Sequence, residues 1–330
     1  MSAKSIKSFS IKECDNKKRL DQFITEQNTE LSRSKIQKLI DCNKIICDNK
    51  QDLKSSCVVK TGEVYHVVSE ELDILKTQKP YKIDIEIHYE DKNIVVVNKP
   101  AGLVTHPGIG NKDNTLANAL VAHFGQESLS NVSSVRPGIV HRLDKETCGF
   151  LIIAKNDKVH AKLCQMIKDR QVERMYIAIV HNKPKSDFDT ISTLIKRKRS
   201  VKQKMVVCNT GGKTAITHYK TLEYNPKHNI SIVECKLETG RTHQIRVHME
   251  HIGCPIVGDK LYGANKIKDA KIKNHGLFAY KIKFDHPETQ KKMLFTLDAK
   301  KLTTEFIVAL LQDRTQEHDT QQAPQKAKII

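Results

Sequence analysis

The sequence predicts an α+β fold, and three observations carry that expectation. Short β-branched apolar runs recur at 94–97 (IVVV), 150–154 (FLIIA) and 176–180 (YIAIV), as in strands buried within a sheet. Helical patterns lie among them without regular strand–helix–strand alternation, which argues against a doubly wound parallel sheet. A length of 330 residues is large for one core and predicts two domains, or one domain with an appendage.

Composition narrows the class of partner. Lys and Arg number 56 against 38 Asp and Glu, a formal net charge of +18. Such an excess suits a polyanion, nucleic acid before an anionic membrane surface. With 38% hydrophobic and 28% charged residues the chain is globular rather than disordered. No apolar run approaches the roughly 18 residues that span a bilayer, so a membrane protein is ruled out; with nucleic acid the favoured polyanion, no membrane partner is expected. The first residues carry basic side chains but no apolar stretch, unlike a secretory signal. Nine cysteines without a CxxC spacing imply reduced thiols in a cytosol.

Residues 1–14 are polar and expected to be flexible. A first module spans 15–70. Leu20, Phe23 and Ile24 at i, i+3 and i+4 predict a short amphipathic helix. Ser32 is a suitable N-cap for a second helix, whose apolar face is Ile36, Leu39 and Ile40. Arg33, Lys35 and Lys38 lie off that face and point to solvent. Residues 44–47 and 58–68 supply strands, with a turn at 48–50. The order RLDQFI, SRSKIQKLI, KIICDNK, VKTGEVYHV resembles an S4 RNA-binding domain. That resemblance turns a basic helix face, in most proteins merely solvated, into an expected contact with RNA phosphate.

A polar linker is expected at 71–82, then a body at 83–312. Within it, 115–123 has helical spacing through Leu116, Ala119, Leu120 and His123. Residues 158–170 predict a helix with Leu163, Met166 and Ile167 inward. The Gln-rich tail 313–330 is expected to be disordered.

Two polar clusters in this body carry the chemistry. The first, RPGIVHRLDKETCG at 136–149, runs directly into the strand at Phe150. Asp144 stands there between Arg142 and Lys145, and a carboxylate among cations stays ionised, as a nucleophile or general base must. The second, LETGRTHQIRVHMEHIG at 237–253, predicts a helix. Ile245, Met249 and Ile252 form its stripe, Thr242 its N-cap and Gly253 its stop. Arg241 then stands at its start, with His243 and Arg246 on one side, a grouping that favours anions. His243, His248 and His251 lack an HExxH pattern and cysteines at ligand spacing, so hydrogen bonding within the fold or phosphate contact is expected of them rather than metal.

Together these clusters resemble the hallmark motifs of the RluA/RluD family of RNA pseudouridine synthases. The family pattern HRLDxxTSGL stands here as HRLDKETCGF, and LxTGRTHQIRVHxxxxGxPxxGDxxYG as LETGRTHQIRVHMEHIGCPIVGDKLYG. NKPAGLVTHPG at 98–108 and GLFAYKIKFDHP at 276–287 match as well, so the resemblance runs from about 15 to about 300. RPGIVHRLDK and KTAITHY with the N-terminal module are most similar to the RluD branch. Cys148 and Phe150 depart from the usual residues beside the motif glycine.

The resemblance implies a catalytic domain with a mixed, mostly antiparallel central sheet and flanking helices. It implies that Asp144 is the catalytic residue, that Tyr176 is the active-site tyrosine and that Arg246 pairs with Asp144. Arg142 is expected to fill the space left by a displaced base, while Arg241 and His243 meet RNA. No cofactor and no metal are expected, because isomerising uridine involves no net redox change or hydrolysis and the sequence has no phosphate-binding glycine loop. The implied partner is large-subunit ribosomal RNA, with the helix 69 stem-loop as the expected site. The implied protein is a cytoplasmic monomer. A non-catalytic ribosome-assembly factor and an N-glycosidase are the competing readings, separated by whether Asp144 is dispensable and whether free uracil appears.

Overall fold

The computed structural model describes residues 6–27, 33–41, 44–50, 52–68, 80–108, 111, 113–198, 200–201, 203–263 and 272–321. They form two compact units, one of residues 1–79 with 131–137 and one of 80–130 with 138–330.

In the smaller unit the apolar spacing at 20–24 produces α1 (Leu20–Gln27) and that at 36–40 produces α2 (Arg33–Asp41). Leu20, Phe23, Ile24, Ile36, Leu39 and Ile40 are all buried in one cluster. Each contributes roughly 1.5–3 kcal/mol by leaving water. The expected N-cap Ser32 and the side chains of Lys35 and Lys38 lie outside the described residues, as do 69–79 of the expected linker.

A three-stranded antiparallel sheet backs the helices, in the order β1 (Ile6–Ser10), β3 (Val64–Val68), β2 (Ile45–Cys47). The segment expected to be flexible is therefore in part a strand, since Ile6 to Ser10 pair with Val68 to Val64. Its sequence, IKSFS, gives little strand signal of its own. Pairing and the burial of Phe9 and Ile11 supply the stabilisation. Asp21 is fully buried and accepts from Arg19 (3.0 Å), Arg33 (3.1 Å) and Gln37 (2.5 Å). Arg33 is thus tied to α1, although about half its side chain remains exposed.

The larger unit is built on a ten-stranded sheet. Its strands are β4 (Glu86–Glu90), β5 (Ile94–Lys99), β6 (Cys148–Ala154), β7 (Glu173–His181), β8 (Phe188–Arg197), β9 (Met205–Cys208), β10 (Lys213–Asn225), β11 (Ile230–Leu237), β12 (Leu277–Asp285) and β13 (Lys292–Thr296). Their order is β4-β5-β6-β12-β7-β11-β10-β8-β9, with β13 paired to β12. Among the described strands only β6 and β12 pair in parallel. The mixed, mostly antiparallel sheet of an α+β fold is therefore present.

The three apolar runs are its central strands. Alternation along β6 sends Leu151 and Ile153 into one core cluster and Phe150, Ile152 and Ala154 into another, so the sheet is buried on both faces.

Four helices flank the sheet: α3 (Leu116–Phe124), α4 (Asp157–Lys168), α5 (Gln244–His251) and α6 (Ala299–Gln321). Thr115 caps α3 in a box with Asn118, and Asn156 caps α4 by accepting from Val159 N–H at 2.9 Å.

Helix α6 continues to Gln321, into the tail expected to be disordered; 322–330 lie outside the described residues. Leu302, Phe306 and Leu310 dock the first turns of α6 on the core. Once a helix is nucleated, each further residue adds one hydrogen bond at small entropic cost, which a reading by composition does not weigh.

Thr242 is not the N-cap of α5. The Gln244 side chain accepts from Thr239 Oγ1 (2.8 Å) and Arg241 N–H (3.0 Å), folding the loop back. The chain then enters the helix through His243 in the left-handed region, at φ 57°. Gly253, at φ 78°, ends the helix as its position predicts.

Candidate active site

Asp144 follows a buried Leu143 in the loop that feeds β6. The loop is held from several sides. Thr105 Oγ1 donates to Leu143 O at 2.7 Å and accepts its N–H at 3.2 Å. Gly102 N–H donates to Lys145 O at 2.9 Å. Lys99 is fully buried, and its ammonium donates to the carbonyls of Pro100 and Leu103 (both 2.8 Å) and Lys145 (3.2 Å). Burial pushes the Lys99 ammonium down to about 8.

Thr147 Oγ1 and the Nε2 of buried His275 are 2.8 Å apart. Gly149 meets β12 so closely, at φ 122°, that a Cβ would stand 2.2 Å from Ala279 O, so no other residue fits there. Cys148 is half-buried beside it. Phe150 packs in the cluster on the sheet face opposite Tyr176 and edge-on to His88 at 4.9 Å, so this departure from the family pattern concerns packing.

Arg246 on α5 reaches the carboxylate. Its Nη1 donates to Asp144 at 3.1 Å, while Nε and Nη2 donate to Asp259 at 2.7 and 2.9 Å. Asp259 is fully buried and also accepts the N–H groups of Leu261 (3.0 Å) and Tyr262 (3.2 Å). The guanidinium carbon lies 4.9 Å from the centre of the Tyr262 ring.

His243 stands on the other side, its Nε2 3.9 Å from Asp144 and its Nδ1 2.8 Å from Tyr262 Oη. Burial alone would raise the Asp144 carboxyl. The positive charge of His243 when protonated, and of Arg246 with its hydrogen bond, outweighs burial and holds the group below the usual carboxylate range. Burial lowers His243 itself, against the opposing pull of Asp144.

Tyr176 projects from β7 with 6% exposure. Burial raises its hydroxyl; the positive charge of Arg174 opposes this and the charge of Asp144 adds to it, and the net shift is upward, so it is protonated at neutral pH.

Of the residues the sequence singled out, Asp144, Tyr176, His243 and Arg246 thus meet at one place. Arg142, two residues from Asp144, is exposed, as is Arg241, whose Nε donates to Thr214 O at 2.8 Å. Arg33 belongs to the other unit.

His248 is committed to the fold. Its two ring nitrogens lie 2.9 and 3.0 Å from the hydroxyls of Thr217 and Thr193, and burial lowers it to about 4. Among the described residues no group of three or more His, Cys, Asp or Glu is placed to hold a metal.

Lys99, Asp259, Tyr262 and His275 were assigned no role by the sequence. The only signal for the first three was their place inside quoted motifs, NKPAG and GDKLYG. What the assembled site offers is an ionised carboxylate clamped by a doubly anchored arginine beside an aromatic ring.

The chain matches the RNA pseudouridylate synthase family over residues 93–251. It is 39% identical over 281 residues to the uncharacterized RNA pseudouridine synthase YlyB of Bacillus subtilis, covering 84% of this chain and 89% of the relative. It is 40% identical over 286 residues to ribosomal large subunit pseudouridine synthase D of Pseudomonas aeruginosa, covering 83% and 86%. In structure it is similar to human RNA pseudouridylate synthase domain containing 1, with a TM-score of 0.54 and 25% identity over 65% of this chain and 83% of that one. Identity of this order along most of both chains is inheritance of one enzyme fold, and the chain belongs to the RNA pseudouridine synthase family.

Proposed function

We propose that this protein isomerises uridine to pseudouridine in large-subunit ribosomal RNA, with Asp144 as the catalytic residue. The observation that carries the residue assignment is the Asp144–Arg246 contact at 3.1 Å, which helps keep the partly buried carboxylate charged. The reaction breaks the N1–C1′ bond and forms C5–C1′; C5 loses a proton and N1 gains one. An ionised Asp144 serves either route to bond cleavage, addition at C1′ or removal of the 2′ proton. The uridine must leave its stack to reach the loop, and the Tyr176 ring offers a face for the extruded base. Arg142 occupies the space that the base vacates, and Arg241 and His243 take RNA contacts around the site.

The smaller unit is proposed to be an S4 domain, with Arg33, Lys35 and Lys38 as phosphate contacts that position the RNA without reading its sequence. The names of several relatives and the +18 charge support ribosomal RNA as substrate. The helix 69 stem-loop is the proposed site, and the protein acts as a cytoplasmic monomer without cofactor or metal.

Pseudouridine maps of ribosomal RNA from cells with and without this protein test the proposal. Loss of one or more modified large-subunit positions is the expected result. Unchanged maps together with loss of a transfer-RNA modification would move the substrate, and unchanged maps of both would remove the activity.

A further inference from the structure

Arg174 lies on β7 two residues before Tyr176, so both side chains leave the same face of the sheet. It is 6% exposed, and its Nε has no hydrogen-bond partner. No ion pair joins it to a carboxylate among the described residues, in contrast to Arg246 with its two aspartates. Two groups within reach of its charge, His141 and Tyr176, are themselves uncharged. His141 accepts the Ile152 N–H on Nε2 at 3.0 Å, and burial reinforced by the Arg174 charge pushes it down to about 3, so it is neutral. Tyr176 is protonated. The Gly240 backbone approaches the guanidinium closely, since a Cβ there would stand 2.9 Å from Nη1.

A buried cation without a counter-charge is costly in the free protein, because desolvation is not compensated by an ion pair. A ligand that brings the anion offsets that cost. RNA carries one anion per nucleotide, the phosphodiester, whose two non-bridging oxygens match the guanidinium fork. We infer that Arg174 seats a phosphodiester of the RNA strand next to the nucleotide held over Tyr176, a subsite separate from the Asp144–Arg246 pair. The inference rests on the reading of this site as one that takes RNA.

The test uses the full-length protein and a short RNA stem-loop that carries the target uridine. Arg174→Met keeps the aliphatic stem and removes the charge. It should weaken binding about tenfold or more, the size of one charge-assisted contact. It should flatten the dependence of log affinity on log salt by about 0.7–0.9, and leave kcat at saturating RNA within about twofold. Single methylphosphonate replacements around the target uridine should include one that weakens the wild type as much and leaves Arg174→Met unaffected. Without RNA the variant should melt no lower than the wild type, because an unpaired charge has been removed.

Three results would overturn the subsite. One is a fall in kcat with unchanged affinity, which would put Arg174 on the departing base. The second is every methylphosphonate weakening both proteins alike. The third is a Tm several degrees lower, the mark of a structural cation. If the wild type binds the stem-loop and forms no pseudouridine, the activity reading fails, while the binding measurements still decide the subsite.

Discussion

Arg246 touches Asp144 with one nitrogen and Asp259 with the other two. The buried Asp259 therefore sets the plane of the guanidinium, and the guanidinium sets the position and charge of Asp144. A bidentate grip at 2.7 and 2.9 Å fixes orientation, while the single contact at 3.1 Å engages only one Asp144 oxygen and leaves the other, facing His243, outside the guanidinium's grip.

Replacing Asp144 by Asn keeps the shape of the side chain and removes the charge. Turnover should fall by on the order of 10⁴-fold, as for other residues that carry the chemical step, with RNA affinity within about threefold. Release of the C5 hydrogen of uridine reports each bond formed. Residual turnover within tenfold of wild type would show that Asp144 is not the catalytic group.

Arg246→Ala strands two carboxylates. Removing one partner of a buried pair costs about 3–5 kcal/mol, so the variant should unfold at lower denaturant. The double variant Arg246→Ala/Asp259→Asn should regain part of that stability by removing the buried charge. In the wild type Arg246 helps hold Asp144 below its ordinary value, and the proposed reaction uses the ionised form. Without the arginine the pKa rises, and the acid limb of kcat against pH should move to higher pH in both variants. An unmoved acid limb would mean that another group sets it.

Asp21 links α1 to α2 through Arg19, Arg33 and Gln37. Burial raises its carboxyl, but these three partners outweigh burial and leave it far below the usual carboxylate range. The folded-state value is lower than the unfolded one. Its stabilisation is thus fully present above about pH 4 and is lost as the pH falls towards the folded-state value. Asp21→Ala should destabilise the smaller unit by about 1–3 kcal/mol at neutral pH, a difference that shrinks in acid. An equal difference at pH 7 and pH 2 in thermal unfolding would contradict the linkage.

Deleting residues 1–75 removes the proposed S4 domain and leaves all ten strands of the larger sheet. Binding to ribosomal RNA should weaken, with a salt slope shallower by roughly 0.7–0.9 for each phosphate that the deleted helix had neutralised. Turnover on a short saturating stem-loop should survive. Filter binding across a salt series decides it, and an unchanged slope would make the basic face of α2 a merely solvated surface.

The parts of this molecule visible in the sequence are those that one local pattern specifies. Burial on both faces made β5, β6 and β7 legible as apolar runs, and a 3.6-residue period did the same for α1, α2 and α4. Strand β1 escaped because its stability comes from pairing with residues far along the chain. The readings of Asp144, Tyr176 and Arg246 as site residues come from motif resemblance; residue chemistry alone says only that Asp144 is ionised. Asp259 and Arg174 differ instructively. Each looks like an ordinary charged residue in the text, and its meaning lies in what surrounds it, an arginine fork for one and no carboxylate for the other. A partner, or the lack of one, is a tertiary fact with no period to betray it.

The left-handed backbone at His243 makes the site a standing burden on the fold. A non-glycine residue in that region costs about 1 kcal/mol, and here the strain holds an imidazole 3.9 Å from Asp144. Selection of variants for heat resistance alone should therefore enrich glycine at 243. Those survivors would be sturdier proteins without the imidazole beside Asp144, so thermal screens of this enzyme have to be run with RNA turnover as a second criterion.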